Sequence, residues 1–473
     1  MSKNHSNPNV IPESAEQDRP GRPDSMRPTS IRYVMILLAM LVAVLLYLDR
    51  ICMSTAAESV MQDLEISKPE LDWLLGAFFW TYALGQLPAG WLGDRFGARW
   101  MLSAYVVLWS LSTGLMGIAN GVGAVLALRL LTGLFEAGAY PVAASIVRRW
   151  IPINRRGIAS SVIAVGGRLG GTLAPILTIQ LMLWWTYGTD YWTAPDDAKA
   201  AITSWRPVMV LYGAIGIAVA AVFVMYFRDW PDEHPRVNDA EADLIRGNNS
   251  VRTATASVSQ VPPVVEMICS WPMWLNCFVQ FSSNLAWAFL VTSLPLYLSE
   301  VHQSTQRAQG LMQSLPLAAG VVGLLLGGMF TDFFTRSFGL RWGRSITMCA
   351  SRLIVAFAYL GCLVVDGPIE AVLCLALVGL ATDLGIGAVW AFGQDVGGRH
   401  VGSVVGWGNM WGNFGAALSP VVLGLIVRSF TNPASGWNAA FVALAVLQLV
   451  AAFAALGVNA SKPLRQENSS TPH

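Results

Sequence analysis

Seven charged side chains lie inside long, otherwise apolar stretches of this sequence: Asp49, Arg50, Arg129, Glu136, Arg168, Arg352 and Asp383. A charge placed in hydrocarbon costs about 2.5–3.5 kcal/mol on insertion scales, so each needs a partner, a wet cavity or a ligand. Arginine presents a planar fork that grips a carboxylate through two parallel hydrogen bonds. A desolvated carboxyl, in turn, can exchange a proton as its surroundings change. The pattern therefore points to anion binding and proton carriage. Other chemistries find no support. No nucleophile and base stand in a catalytic constellation, so no catalytic residue and no enzyme is expected. The glycine runs Gly166-Gly167-x-x-Gly170-Gly171 and Gly323-x3-Gly327-Gly328 lack the Lys-Ser/Thr of a phosphate loop and suit close helix packing. The six cysteines form no CxxC pair and no histidine stands at zinc spacing, so no metal, disulfide framework or cofactor is expected, the proton excepted.

The elements that must position these groups follow from composition. Of 473 residues 54% are hydrophobic and 12% charged, against about 25% charged in soluble domains. Runs of about twenty residues, long enough to span a bilayer, occur near 33–56, 71–92, 100–119, 122–147, 157–186 and 205–227, then near 271–298, 310–334, 345–365, 369–394, 402–428 and 437–457. The expected fold class is an all-α polytopic membrane protein with 12 transmembrane helices in two six-helix bundles. Residues 1–30 read as a disordered cytoplasmic tail, 31–227 as the N-terminal bundle, 228–268 as a cytoplasmic linker, 269–458 as the C-terminal bundle and 459–473 as a second cytoplasmic tail. The first apolar run is long enough to span and has no small-residue cleavage site, so it reads as a retained helix. Basic residues gather in the even-numbered connections, among them Arg95, Arg99, Arg148, Arg149, Arg155, Arg156, Arg336 and Arg344. Such loops favour the cytoplasm, which predicts an integral membrane protein with both termini cytoplasmic. The formal net charge is +1 with no continuous basic patch, which argues against a nucleic-acid partner.

The halves repeat. Gly90-Trp-Leu-Gly-Asp94-Arg95-Phe-Gly97-Ala-Arg99 follows the second run, and Gly328-Met-Phe-Thr-Asp332 with Arg336, Gly339 and Arg344 follows the eighth. A two-bundle transporter needs such repetition, because one half rocks against the other around a midplane site. The loop after the second helix resembles the signature loop of the major facilitator superfamily, with Trp100 where a basic residue is usual. Tyr47-Leu-Asp49-Arg50, with Arg129-Leu-Leu-Thr-Gly133-Leu-Phe-Glu136-Ala-Gly138, resembles the anion:cation symporter family within it, which includes bacterial hexuronate and galactonate carriers and animal sialin. The resemblance spans nearly all of residues 30–458, including Trp390 and Gly408-Asn409-Met-Trp411-Gly412-Asn413, and implies a place in a bacterial inner membrane.

Depth along the helices sharpens the roles. Arg50 lies seventeen residues into the first run and Arg129 seven into the fourth, which runs the other way; at 1.5 Å per residue both fall at a similar level, roughly 25 Å from the basic end. Two guanidiniums at one level repel unless an anion intervenes. Arg50 and Arg129 are therefore assigned to a substrate carboxylate, and the resemblance implies the same; the alternative is neutralisation by Asp49 or Glu136. Glu136, two turns beyond Arg129, falls near the membrane centre and is the expected proton-coupling residue, with Asp49 as a second titrating group or a structural counter-ion. Arg168 stands where carriers of the resembled type tend to show an uncharged polar residue. It reads either as a third anion contact or as a fixed partner for Glu136 or Asp383. Asn409 and Asn413 share a helix face and would serve substrate hydroxyls, with Tyr47, Tyr82 and Trp390 as further lining and Gln86, Trp287 and Gln394 as weaker nominations. Asp94, Arg95 and Asp332 read as gating residues. Arg352 is expected to snorkel or pair near the cytoplasmic face. The resulting expectation is proton-coupled symport of a small organic anion, a sugar acid such as a hexonate or hexuronate, by a functional monomer in the lipid bilayer. The rivals are a dicarboxylate or aromatic-acid carrier, an anion exchanger, and a transporter-like sensor.

Overall fold

The structure, a computed structural model, describes residues 27–188, 205–246, 262–304 and 306–464. The first 26 residues, the acidic and aromatic loop beyond residue 188, linker residues 247–261 and the tail after residue 464 lie outside the described residues. Among the described residues there are helices and no strands, as expected where backbone groups must be satisfied without water. The first half contains α1 (Ile31–Thr55), α2 (Lys68–Phe96), α3 (Ala98–Met116), α4 (Val122–Trp150), α5 (Arg156–Tyr187) and α6 (Trp205–Tyr226). The second contains α7 (271–300), α8 (306–338), α9 (340–361), α10 (Pro368–Val396), α11 (Val401–Arg428) and α12 (Pro433–Leu456). Among the described residues, eight helices are apolar and long enough to cross a membrane by themselves, one of which, Met312–Gly361, holds the α8 and α9 passages. The less apolar α2, α3 and α7 complete the twelve.

Each half packs its own core. Leu46, Val106, Trp109, Trp150 and Phe223 bring α1, α3, α4 and α6 together, and Phe289, Tyr359, Val378 and Phe441 join α7, α9, α10 and α12. Outward faces stay apolar, with Trp80, Ile176, Leu425 and Phe453 exposed, which suits a lipid solvent. The repeat seen in sequence reappears in the backbone. α2 continues helical through Asp94 and Arg95 to Phe96, so these residues form the last turn of a helix instead of the expected loop. The turn is confined to Gly97 (φ 88°, ψ 153°), and its counterpart Gly339 (φ 78°, ψ 176°) breaks α8 from α9. Positive φ favours a residue without a Cβ. At the same end of the molecule, residues 27–30, read as part of a disordered tail, are held: Asn238 Nδ2 donates to the Arg27 carbonyl (2.9 Å), and Arg32 pairs with Glu241 of the short helix Asp239–Arg246 (3.0 Å).

Candidate functional site

The fourth helix of each half breaks immediately after a buried carboxylate. α4 is interrupted between Glu136 and Ala139, and α10 between Leu384 and Ile386, one residue beyond Asp383. In both cases the third helix presses in where glycine leaves room. A Cβ on Gly138 would stand 2.2 Å from the Tyr105 ring, and one on Gly385 would stand 2.7 Å from Ser351 Oγ. Irregular helix inside a membrane is tolerated where it lines a site. Each carboxylate faces an arginine on another helix: Glu136 meets Arg50 of α1, and Asp383 meets Arg168 of α5.

Arg50 is the hub of the first group. Its Nε and Nη2 donate to Glu136 Oε2 at 3.3 and 3.1 Å, and its guanidinium carbon lies 5.0, 4.9 and 4.3 Å from the ring centroids of Tyr47, Phe78 and Tyr82. Arginine over an aromatic face gains further from the ring quadrupole. Arg129 lies on Phe78, 4.7 Å from its centroid, and donates from Nη2 to the Arg50 carbonyl at 3.3 Å. Its Nε and Nη1 are buried with no hydrogen-bond partner among the described residues, as is Glu136 Oε1. Glu136 thus pairs with Arg50, and Arg129 beside it holds no carboxylate among the described residues. Buried cationic donors are costly to leave unpaired, so the arrangement favours an incoming anion. Asp49 points elsewhere. It is fully buried, accepts from Trp109 Nε1 of α3 at 2.9 Å, and makes no ion pair among the described residues.

The second half faces this group. Arg168 makes a two-pronged pair with Asp383 (Nε to Oδ2 3.1 Å, Nη2 to Oδ1 2.7 Å) and stacks 4.9 Å from the Trp287 centroid. Of the two carboxylates expected as its partner, the one it meets is Asp383. Tyr140 and Trp390 meet across the halves with centroids 4.9 Å apart, and Asn409 Nδ2 donates to Gln86 Oε1 at 3.0 Å. Asn413 donates to the Asn409 carbonyl of its own helix (2.8 Å). Gln394 Nε2 bridges to Ser160 Oγ at 2.9 Å. Arg352 does not snorkel. It is 1% exposed, donating to Ser351 Oγ (2.7 Å), the Thr382 carbonyl (3.0 Å) and Gln448 Oε1 (3.4 Å), because it lies on the face of α9 that packs against α10 and α12.

At the basic end the halves are sealed by the repeated carboxylates. Asp94 accepts from the backbone amides of Gly402 and Ser403 (2.8 Å each) and from the hydroxyls of Ser403 (2.8 Å) and Ser145 (3.1 Å). Asp332 accepts from the amides of Gly157 and Ile158 at 2.9 and 3.0 Å. Each carboxylate thereby caps the opening turn of a helix in the opposite half, α11 or α5, where free amides and the helix dipole favour negative charge. Asp395 adds a third tie, taken by Arg156 of the first half (2.8 Å) and Arg344 of the second (3.0 Å). Arg95 stands apart, exposed and lying over Trp91 and Phe96.

The same end yields a prediction. Charge-assisted bonds contribute about 1.5–3 kcal/mol each, so Asp94→Asn combined with Asp332→Asn should shift the population toward the state open at the basic end by tenfold or more. Val405, buried in the cluster with Ala144 of the opposite half, reports it. As Val405→Cys it should alkylate at least tenfold faster in the doubly substituted background, read on its own peptide by mass spectrometry. Equal rates would show that these carboxylates do not hold the halves together.

Comparison with known proteins decides the family. The sequence profile described as Major Facilitator Superfamily matches residues 39–420, with a further match over 277–473. The chain belongs to the Major Facilitator Superfamily. Facilitators are membrane transporters, not enzymes, and similar proteins carry transporter names. The probable sulfoacetate transporter SauU of Cupriavidus necator is 28% identical over 87% of this chain and 90% of that protein. The probable galactarate/D-glucarate transporter GudP of Bacillus subtilis is 29% identical over 88% of this chain and 89% of that protein. Among solved facilitators, the proton:xylose symporter XylE bound to 6-bromo-6-deoxy-D-glucose aligns with TM-score 0.67 and 14% identity over 90% of this chain and 95% of that chain. The human organic anion transporter MFSD10 gives TM-score 0.66 and 16% identity over 90% of this chain and 100% of that one. At such identities these two speak for the facilitator fold alone.

Sequence reasoning passed over Trp109 and Asp395. Trp109 carried no signal beyond being one of many tryptophans. Asp395 had one: it is an acidic residue directly before a connection whose other charge is Arg399.

Proposed function

We propose that this facilitator moves a small organic anion of the sugar-acid type together with protons, in a bacterial cytoplasmic membrane, with both termini and the sealed basic end in the cytoplasm. The observation that carries the reading is the unequal group at Phe78: two guanidiniums lie on its ring, Glu136 pairs with Arg50 alone, and two Arg129 nitrogens have no partner among the described residues. A substrate carboxylate entering there takes the free donors of Arg129 and competes with Glu136 for Arg50. Glu136, once displaced in a buried setting, is stabilised by taking a proton, because an uncompensated buried charge is strongly unfavourable. Anion binding and proton binding therefore favour each other. Asp49, tied to Trp109, serves as a second proton acceptor close to the same helix.

The names of similar proteins support this substrate class, since sulfoacetate, galactarate and D-glucarate are all acids with two ionisable groups. Tyr47, Tyr82, Asn409, Asn413 and Trp390 line the route and offer the ring faces and amides that polyhydroxy acids need. Asp94 and Asp332 hold the cytoplasmic end closed until the halves rock. One chain carries both halves and the whole site, which supports a functional monomer. The test is uptake into proteoliposomes of hexonates, hexuronates and dicarboxylates, with and without an inward proton gradient. Gradient-dependent accumulation of a sugar acid is expected. Uptake of no member of the panel would refute the substrate class.

A further inference from the structure

The Arg168–Asp383 pair joins the two halves in the middle of the molecule, and its two members are not equally enclosed. The Arg168 side chain is 16% exposed and the Asp383 side chain 3%. An anion approaching the pair therefore meets the guanidinium before the carboxylate. Around Arg168 the protein offers more than the pair uses. The Trp287 ring lies beneath it, and the Trp287 indole N–H is buried with no partner among the described residues. Tyr47 links this place to the first group. Its ring meets Arg50 on one side (5.0 Å) and packs on the other against Gly167 and Gly171, which flank Arg168; a Cβ at those positions would stand 2.7 and 3.3 Å from ring atoms.

Asp383 also has somewhere to go. Arg352 donates to the carbonyl of the adjacent Thr382 and keeps a buried Nε with no partner among the described residues. Breaking a buried pair by removing one member leaves an uncompensated charge, so an exchange of partners is far easier than a simple rupture. Arg352 belongs to the same half as Asp383, whereas Arg168 belongs to the other.

We propose that Arg168 and the Trp287 indole N–H form a second anion subsite, specific for the distal acidic group of a diacid, and that its occupation frees Asp383 from the opposite half. The substrate then spans Tyr47, with one acidic group at Arg50 and Arg129 and the other at Arg168. Asp383 passes to Arg352, and the tie between the halves is replaced by the substrate itself. A monoacid fills the first subsite only and leaves the tie in place. This deepens the sugar-acid reading and rests on it.

The discriminating probes are D-galactonate and galactarate, which share a carbon skeleton and differ by one terminal carboxyl. Binding to the full-length purified protein is followed by titration calorimetry and by ligand-induced thermal stabilisation, neither of which requires transport. The wild type should bind galactarate about ten- to hundredfold more tightly than galactonate, the range expected for hydrogen bonds to a charged group. Arg168→Gln should bring the two acids to within about threefold of each other, by weakening galactarate alone. Arg168→Gln combined with Asp383→Asn removes both charges of the pair and should show the same loss of preference if the single variant folds poorly. Tight galactonate binding with no galactarate preference in the wild type, or a preference that survives in either variant, would overturn the second subsite while leaving the sugar-acid reading intact. Failure of the wild type to bind either acid would remove the reading and the subsite together.

Discussion

Arg129→Ala should abolish uptake of every anionic substrate and weaken binding at least about hundredfold, while leaving the protein as stable in detergent as the wild type or more so. The two halves of this expectation come from one observation. Arg129 is 1% exposed, its Nε and Nη1 have no partner among the described residues, and its remaining contacts are the Phe78 ring and one 3.3 Å bond to a carbonyl. Removing a paired buried arginine destabilises a protein, because the partner is left uncompensated; removing an unpaired one relieves a desolvation cost. Residues that trade stability for function behave in this way. Lysine at the same position keeps the charge and loses the fork, so Arg129→Lys should retain binding at a level between wild type and alanine. Melting temperature, binding affinity and uptake measured on the same three preparations check the account. A large drop in melting temperature for Arg129→Ala would instead make this arginine a structural residue.

Glu136→Gln should lose uphill accumulation, bringing the internal-to-external ratio of substrate to about one, while exchange of preloaded substrate continues within a fewfold of the wild-type rate. Glutamine can still accept from Arg50 through its carbonyl oxygen, so the 3.1 Å contact and the surrounding ring stack have no reason to collapse. It cannot take up a proton. The coupling of anion to proton disappears, whereas the rocking of the halves around bound substrate remains. The measurement is paired: counterflow and gradient-driven uptake on the same proteoliposomes. Uphill accumulation surviving in Glu136→Gln would transfer the proton to Asp49, whose buried Oδ1 has no partner among the described residues.

Much of this arrangement was legible in the sequence, for identifiable reasons. Intramembrane charges are expensive, so Arg50, Arg129, Glu136 and Arg168 stood out against the apolar runs, and the spacing of Asp94 and Asp332 half a chain apart exposed the repeat. Pairing was legible only as one of two open alternatives for each arginine. Arg168 and Asp383 are 215 positions apart, and no local pattern distinguishes a guanidinium that awaits a ligand from one that already holds a carboxylate. The same limit hid Asp395, which lies between Arg156 and Arg344 from opposite halves. Element ends were displaced because hydropathy falls before the helix stops. α2 stays helical through the charged Asp94 and Arg95, and α8 runs on to Gly339, where backbone conformation and not polarity ends it. The depth of Arg352 along its helix suggests snorkelling or pairing near the cytoplasmic face, but depth does not reveal its neighbours Ser351, Thr382 and Gln448, which come from three different helices.

Proton flux driven by substrate tests the central claim most directly. Proteoliposomes loaded with a pH-sensitive dye and held without an imposed gradient should acidify inside when galactarate is added outside, at a rate that tracks its uptake and vanishes in Arg129→Ala. Uptake of galactarate at the wild-type rate with no internal acidification would contradict the account, because the anion would then move without the proton that Glu136 is held to carry.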